Sequence, residues 1–207
     1  MSNVSIIGPG TPLHTLLHSL AYTAVWLFLF GMTVELGITH FYTKPYGATN
    51  GPLIGSAVNI ILLIAVLWFQ RKWIFQHLRI TAWWEWALYA VAAIAAAALP
   101  FHYSITETPV GVYIVAFTVS VLWQNIITFG YWRHYVREVL GPIGTSIMAA
   151  IIFPFAHAFW IPGFTADKPV MLLLSSVMAV LFTWLAELTG KLHLPIFIHL
   201  MLYFIMA

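Results

Sequence analysis

Seven apolar runs of roughly membrane-spanning length, separated by short breaks, constrain this chain more than any other feature. A helix needs about 20 apolar residues to cross the hydrocarbon of a bilayer. The runs are Leu13–Ile38, Leu53–Phe69, Ala82–Leu99, Pro109–Phe129, Ile143–Ile161, Val170–Leu188 and Leu192–Ala207. Gly, Pro and charge clusters break them, at Lys44 to Gly47, Arg71-Lys72, Pro100 to Pro109, Arg133 to Pro142, Pro162 to Pro169 and Thr189 to Lys191. Only 7% of the residues are charged, whereas a soluble domain carries about 25%. So few charges cannot coat a water-facing surface. The pattern predicts an all-α polytopic transmembrane helical bundle of about seven spans, forming a single membrane domain over residues 1–207. Its expected partners are the lipid bilayer and other integral membrane proteins. A net charge of +2, thinly scattered, gives nucleic acid no reason to bind.

The start, Met1 to Pro12, lacks a basic run ahead of a short apolar core, so the first helix is expected to direct insertion itself. The absence of cysteine excludes disulfides, thiolate metal sites and a cysteine nucleophile. Lys and Arg favour the cytoplasmic side. With seven spans, Arg71, Lys72, Arg79, Arg133, Arg137 and Lys191 share one side, and Lys44 and Lys168 the other. That split predicts a cytoplasmic N-terminus, an external C-terminus and a bacterial-type inner or cytoplasmic membrane. Trp83, Trp84 and Trp86 read as an aromatic belt. The small-residue stretch Ala92 to Ala98 permits close helix packing. Arg133, His134, Arg137 and Glu138 read as an amphipathic turn on the headgroups. His40, His77, His102, His134 and His193 lie near helix ends and read as interfacial.

Polar groups inside the apolar runs are costly in lipid, and each is a functional hypothesis. Gln124 and Asn125 interrupt the fourth run, His157 the fifth and His199 the seventh. One reading is interhelical hydrogen bonding. The other is a site assembled in the bundle core from facing side chains. These boundaries leave Gln124 toward one side of the bilayer and His157 toward the other. His14 and His18, four apart, share a helix face. They read as interfacial histidines or as ligands for a metal, a haem or a chlorophyll-type pigment.

The second half of the chain resembles the CPBP family, the CAAX-protease and bacteriocin-processing intramembrane endopeptidases. The resemblance is carried by Gln124-Asn125-Ile126-Ile127-Thr128-Phe129-Gly130, by Phe153 to His157, and by Glu187-Leu188-Thr189-Gly190-Lys191-Leu192 followed by Pro195, His199 and Tyr203. Residues 109–207 thus look like a CPBP-type core, while 1–108 hold three spans without a signature. In that family the first position of the Glu-Glu-x-x-x-Arg signature activates water, and the histidines bind it or stabilise an oxyanion. The resemblance puts Gln124, Asn125 and Phe129 at the three charged positions, and Tyr203 where an Asn is usual. A carboxamide cannot take a proton near neutral pH. Two histidines fall short of the three protein ligands a catalytic zinc normally takes, and no cofactor is expected. Of the carboxylates Glu35, Glu85, Glu107, Glu138, Asp167 and Glu187, Glu35 and Glu187 sit near helix ends, within reach of water or of Lys191. The resemblance therefore implies a catalytically inactive scaffold, assembly or interaction subunit. The alternatives are an active intramembrane endopeptidase and a cofactor- or pigment-holding subunit of a redox or light-harvesting complex.

Overall fold

The computed structural model of the chain describes residues 12–34, 37–105, 107–161 and 169–207. All regular structure among them is helical: α1 (Pro12–Gly31), α2 (Gly37–Thr43), α3 (Gly47–Phe69), α4 (Arg71–Leu78), α5 (Trp83–Ala98), α6 (Val110–Asn125), a π-helical stretch (Ile126–Trp132), α7 (Arg133–Trp160), α8 (Pro169–Thr189) and α9 (His193–Met206). Five stretches are long and apolar enough to cross a membrane: Leu13–Gly31, Lys44–Phe69, Trp83–Phe101, Val110–Trp160 and Pro169–Thr189. The chain is an integral membrane helical bundle. Its outer apolar side chains, Ile61, Trp68, Trp83 and Leu173 among them, are largely exposed and therefore face lipid.

Each expected apolar run is largely helical, but three boundaries differ. The first helix stops at Gly31 and does not reach Ile38, and Glu35 lies outside the described residues. Polar groups account for the stop. The Val34 N–H donates to Asn59 Oδ1 at 3.1 Å, the Asn59 amide donates to Met32 O, and Thr39 Oγ1 donates to the same carbonyl at 2.6 Å. The second run begins at Gly47, not Leu53. Its first turns are held by close packing of α2: a Cβ on Gly51 would stand 2.9 Å from Thr43 O, and one on Gly55 2.8 Å from Thr39 Cγ2. The Pro162 to Pro169 break, with Asp167 and Lys168, lies outside the described residues up to residue 168, as does the stretch before Pro12. The last helix has 14 residues, about 21 Å at 1.5 Å per residue, short of the ~30 Å hydrocarbon core.

The third boundary matters most. The Arg133 to Pro142 break shrinks to one residue, Gly141, at φ 66°, ψ 177°. Only glycine adopts that conformation readily. There the 51-residue stretch Val110–Trp160 folds back on itself. Phe129 and Phe153 lie twelve residues before and after Gly141, and their ring centroids are 5.6 Å apart. A continuous helix would separate them by roughly 36 Å. Gln124 and His157, seventeen before and sixteen after, therefore lie at nearly the same depth, and the expected offset between them disappears.

The bundle has two distinct ends. At the basic end, Glu187 meets Arg133 and Arg137, Lys191 meets Glu85, and Gln70 Nε2 reaches Tyr135 Oη. At the far end, Ser104 Oγ and N–H both donate to Ala207 O, and His102 Nε2 bonds Phe204 O. Indole N–H groups tie α1 to the C-terminal half. Trp123, Trp132 and Trp160 donate to Leu29 O, Thr23 Oγ1 and Leu27 O at 2.9–3.1 Å, and Trp26 donates to Thr128 Oγ1 at 3.0 Å.

Candidate functional site

The hairpin at Gly141 sets two polar centres, one deep and neutral, the other near the basic end and charged. The deep one begins with Asn125, the last residue of α6. Its Nδ2 donates to Val121 O at 2.8 Å and to His199 Nδ1 of α9 at 3.0 Å. Because Nδ2 faces a carbonyl, which only accepts, the amide orientation is set, and His199 Nδ1 is the acceptor. A neutral His199 then carries its proton on Nε2. On α7, His157 Nδ1 donates to Phe153 O at 2.8 Å, one helical turn back, so a neutral His157 offers Nε2 as an acceptor.

Aromatic rings complete the surround. His157 lies edge-on to Phe153 and Phe30, with centroids at 4.7 and 5.0 Å, and His199 lies 5.5 Å from Phe182 and 5.4 Å from Tyr203. Phe129 is fully buried and touches the rings of Phe153 and Phe182. Between α7, α8 and α9 these side chains enclose a partly open cavity of about 310 Å³, lined by His157 and His199 and by Phe153, Met178, Phe182 and Tyr203. Among the described residues no Lys, Arg, Asp or Glu lines it.

Gln124 and Asn125 are buried on α6, and the oxygens Gln124 Oε1 and Asn125 Oδ1 have no hydrogen-bond partner among the described residues. The structure thus joins Asn125 to His199 and brings His157 to the same cavity. Gln124 lies beside them in sequence and buried, but does not line the cavity. Gly130 is buried in the π-helical stretch.

The charged centre corrects the headgroup reading for Arg133, while His134, Arg137 and Glu138 keep half-exposed or exposed side chains. Arg133 is buried and donates to Glu187 Oε2 at 2.8 Å and, through Nε, to Phe129 O at 2.7 Å. Arg137, half-exposed, grips the same carboxylate. Glu187 therefore meets these arginines, and Lys191 turns instead to Glu85. Glu85 is almost fully buried in the first turn of α5 and also accepts from the backbone N–H groups of Thr81 and Ala82 at 2.5 and 3.0 Å. His193, expected at the interface, is buried against Tyr89 Oη at 2.7 Å. The sequence offered one signal for these pairs: a charged residue beside an apolar run needs a partner. Spacing alone could not say which partner.

His14 and His18 do share a face, with ring centroids 4.1 Å apart, and the stack continues through Tyr22 to Tyr135 at 4.3 Å. It lies at the basic end, away from the cavity. Among the described residues no three His, Asp or Glu side chains gather to hold a metal ion.

Residues 106–205 match the family model of the type II CAAX prenyl endopeptidase Rce1-like proteins. This half of the chain belongs to the CPBP family. The matched segment covers the Gly141 hairpin, α8 and nearly all of α9, which are the elements that enclose the cavity. No curated protein and no solved structure matches the chain.

Proposed function

We propose that this Rce1-like membrane protein binds without cleaving, serving as a scaffold or assembly subunit that contacts other integral membrane proteins through its apolar flanks. One observation carries the reading: the polar groups lining the cavity are imidazole and hydroxyl, with the Asn125 carboxamide behind His199 and no carboxylate lining it among the described residues. Peptide hydrolysis needs a group that takes a proton from water near neutral pH, worth about 10²–10⁴-fold in rate. The family resemblance puts Gln124 and Asn125 where that group belongs. Of the described carboxylates, Glu138 and Glu187 sit at the basic end with His134 and the two arginines, and Glu107, two residues from the cavity-lining Ile105, is exposed and does not line the cavity. Phe129, at the position of the family arginine, is packed among Phe153 and Phe182. An apolar ring there supports a site that has lost its whole charged set together, with no ion left unpaired in lipid.

The test compares the natural protein with a Gln124→Glu, Asn125→Glu, Phe129→Arg variant on a membrane-tethered reporter peptide. The natural protein is expected to show no turnover. Cleavage by the natural protein that disappears in His157→Ala or His199→Ala would overturn the proposal and make it a protease. Purification in mild detergent, with identification of what co-migrates, tests the scaffold role directly.

A further inference from the structure

The cavity has a feature that a site merely closed by packing would lack. It is partly open, and both α8 and α9 line it, with Met171, Leu174 and Ser175 from one and Leu202 and Met206 from the other. α8 packs chiefly on α7 and only lightly on α9. These residues belong to the far half of the bundle, since Met171 is near the start of α8 and Met206 ends α9. Both helices also carry exposed apolar side chains, Leu173 and Val177 on α8 and Ile205 on α9, so a cavity opening between them would admit molecules from the bilayer. Its volume of about 310 Å³ is at the lower end of small-ligand pockets, which run about 300–1,000 Å³. That suits one narrow chain end rather than a folded peptide.

The inner end of this cavity is polar and uncharged. Asn125 holds His199 through Nδ1, which leaves the Nε2 proton on the ring edge away from Asn125 as a donor. Tyr203 stacks its ring on that imidazole at 5.4 Å between centroids and, like His199, lines the cavity, so a phenol belongs to the same lining. An oxygen that accepts a hydrogen bond is matched here. A phosphate, a carboxylate or an ammonium is not, because among the described residues no side chain of opposite charge lines the cavity and an unpaired ion in an apolar site is costly. We infer that the cavity takes a neutral single-chain amphiphile from the bilayer, its hydroxyl or ester oxygen against His199 and Tyr203 and its alkyl chain leaving between Met178 and Leu202. The inference rests on the cavity binding rather than cleaving.

The experiment uses the full-length protein in phosphatidylcholine nanodiscs and a dodecanol carrying a photoreactive diazirine on its chain. Labelled peptides are expected to come from α8 and α9, between Met171 and Met178 and between His199 and Met206. Unlabelled dodecanol should compete. Dodecanoate at alkaline pH and dodecyltrimethylammonium should compete at least about tenfold more weakly. Met178→Trp, which fills the cavity, should remove most of the label, while Val177→Trp on the lipid-facing side of α8 should not. Label spread evenly over the lipid-facing helices, or equal competition by the charged compounds, overturns the inference. The competition series needs only the natural protein, so a misfolded variant does not blunt it. Peptide cleavage would sink the non-proteolytic reading instead, and that outcome is separable because it is read on a different substrate.

Discussion

The cavity and the basic end share α7, α8 and the π-helical stretch, yet they bury polar groups by opposite means. At the cavity, Asn125 meets His199 through one neutral hydrogen bond, with aromatic rings around it. At the basic end, one carboxylate is gripped by two guanidinium groups, one buried and one half-exposed. The difference follows from access to water. A neutral pair loses little when desolvated, whereas an ion must be matched in full or stay near a wet surface. Arg133 and Glu187 satisfy both conditions, since Arg137 extends the pair outward to the exposed rim.

The largest effect should come from removing the shared carboxylate. Glu187→Ala strands Arg133, and breaking a buried pair from one side costs about 3–5 kcal/mol. Thermal melting in a fixed detergent should show a large drop or no folded protein. A near-normal midpoint would mean that water already reaches Arg133. Gly141→Ala comes next. It forces a side chain into a backbone region suited to glycine, at about 1–3 kcal/mol, and it should weaken both centres together because the hairpin positions both. Asn125→Ala should cost about 1–2 kcal/mol while leaving the basic end untouched, and proton NMR of the histidine rings should report a changed environment for His199 but not for His193. The smallest effect belongs to Arg137→Ala. Its half-exposed pair is worth at most about 1 kcal/mol, and the loss should shrink further in high salt. A loss as large as that of Glu187→Ala would erase the distinction between the buried and exposed arms.

Hydropathy located the long apolar helices but not the short α2 and α4, because lipid exposure leaves its mark over a whole membrane-spanning run. Trp83 to Ala98 came within one residue at each end. Where helices are held by neighbours, the signal failed. Gly47 to Pro52 reads as loop by composition, and only the backbone of α2 against Gly51 makes it helical. The π-helical stretch at Ile126–Trp132 has no sequence mark at all. Four tryptophans, Trp26, Trp123, Trp132 and Trp160, act as donors between helices, and nothing local separates them from the exposed Trp83. At the site, the polar residues were legible because they interrupt apolar runs. Their meeting was not, since the depth match of Gln124 and His157 depends on one glycine, and the grip on Glu187 comes from residues 50 and 54 positions away.

Those separations also imply an order of assembly. The rings of Phe129 and Phe153 meet across 24 residues, and short closures form early. Asn125 and His199 meet across 74 residues, Tyr89 and His193 across 104, and Glu85 and Lys191 across 106. Chains emerge N-terminus first during synthesis. The hairpin can therefore form while α9 is still inside the ribosome, with the Asn125 carboxamide lacking its His199 partner throughout that interval. The cavity acquires its last wall only when His193–Met206 docks, which makes this short helix the latch of the molecule and the element whose delay leaves the nascent protein most exposed to quality control.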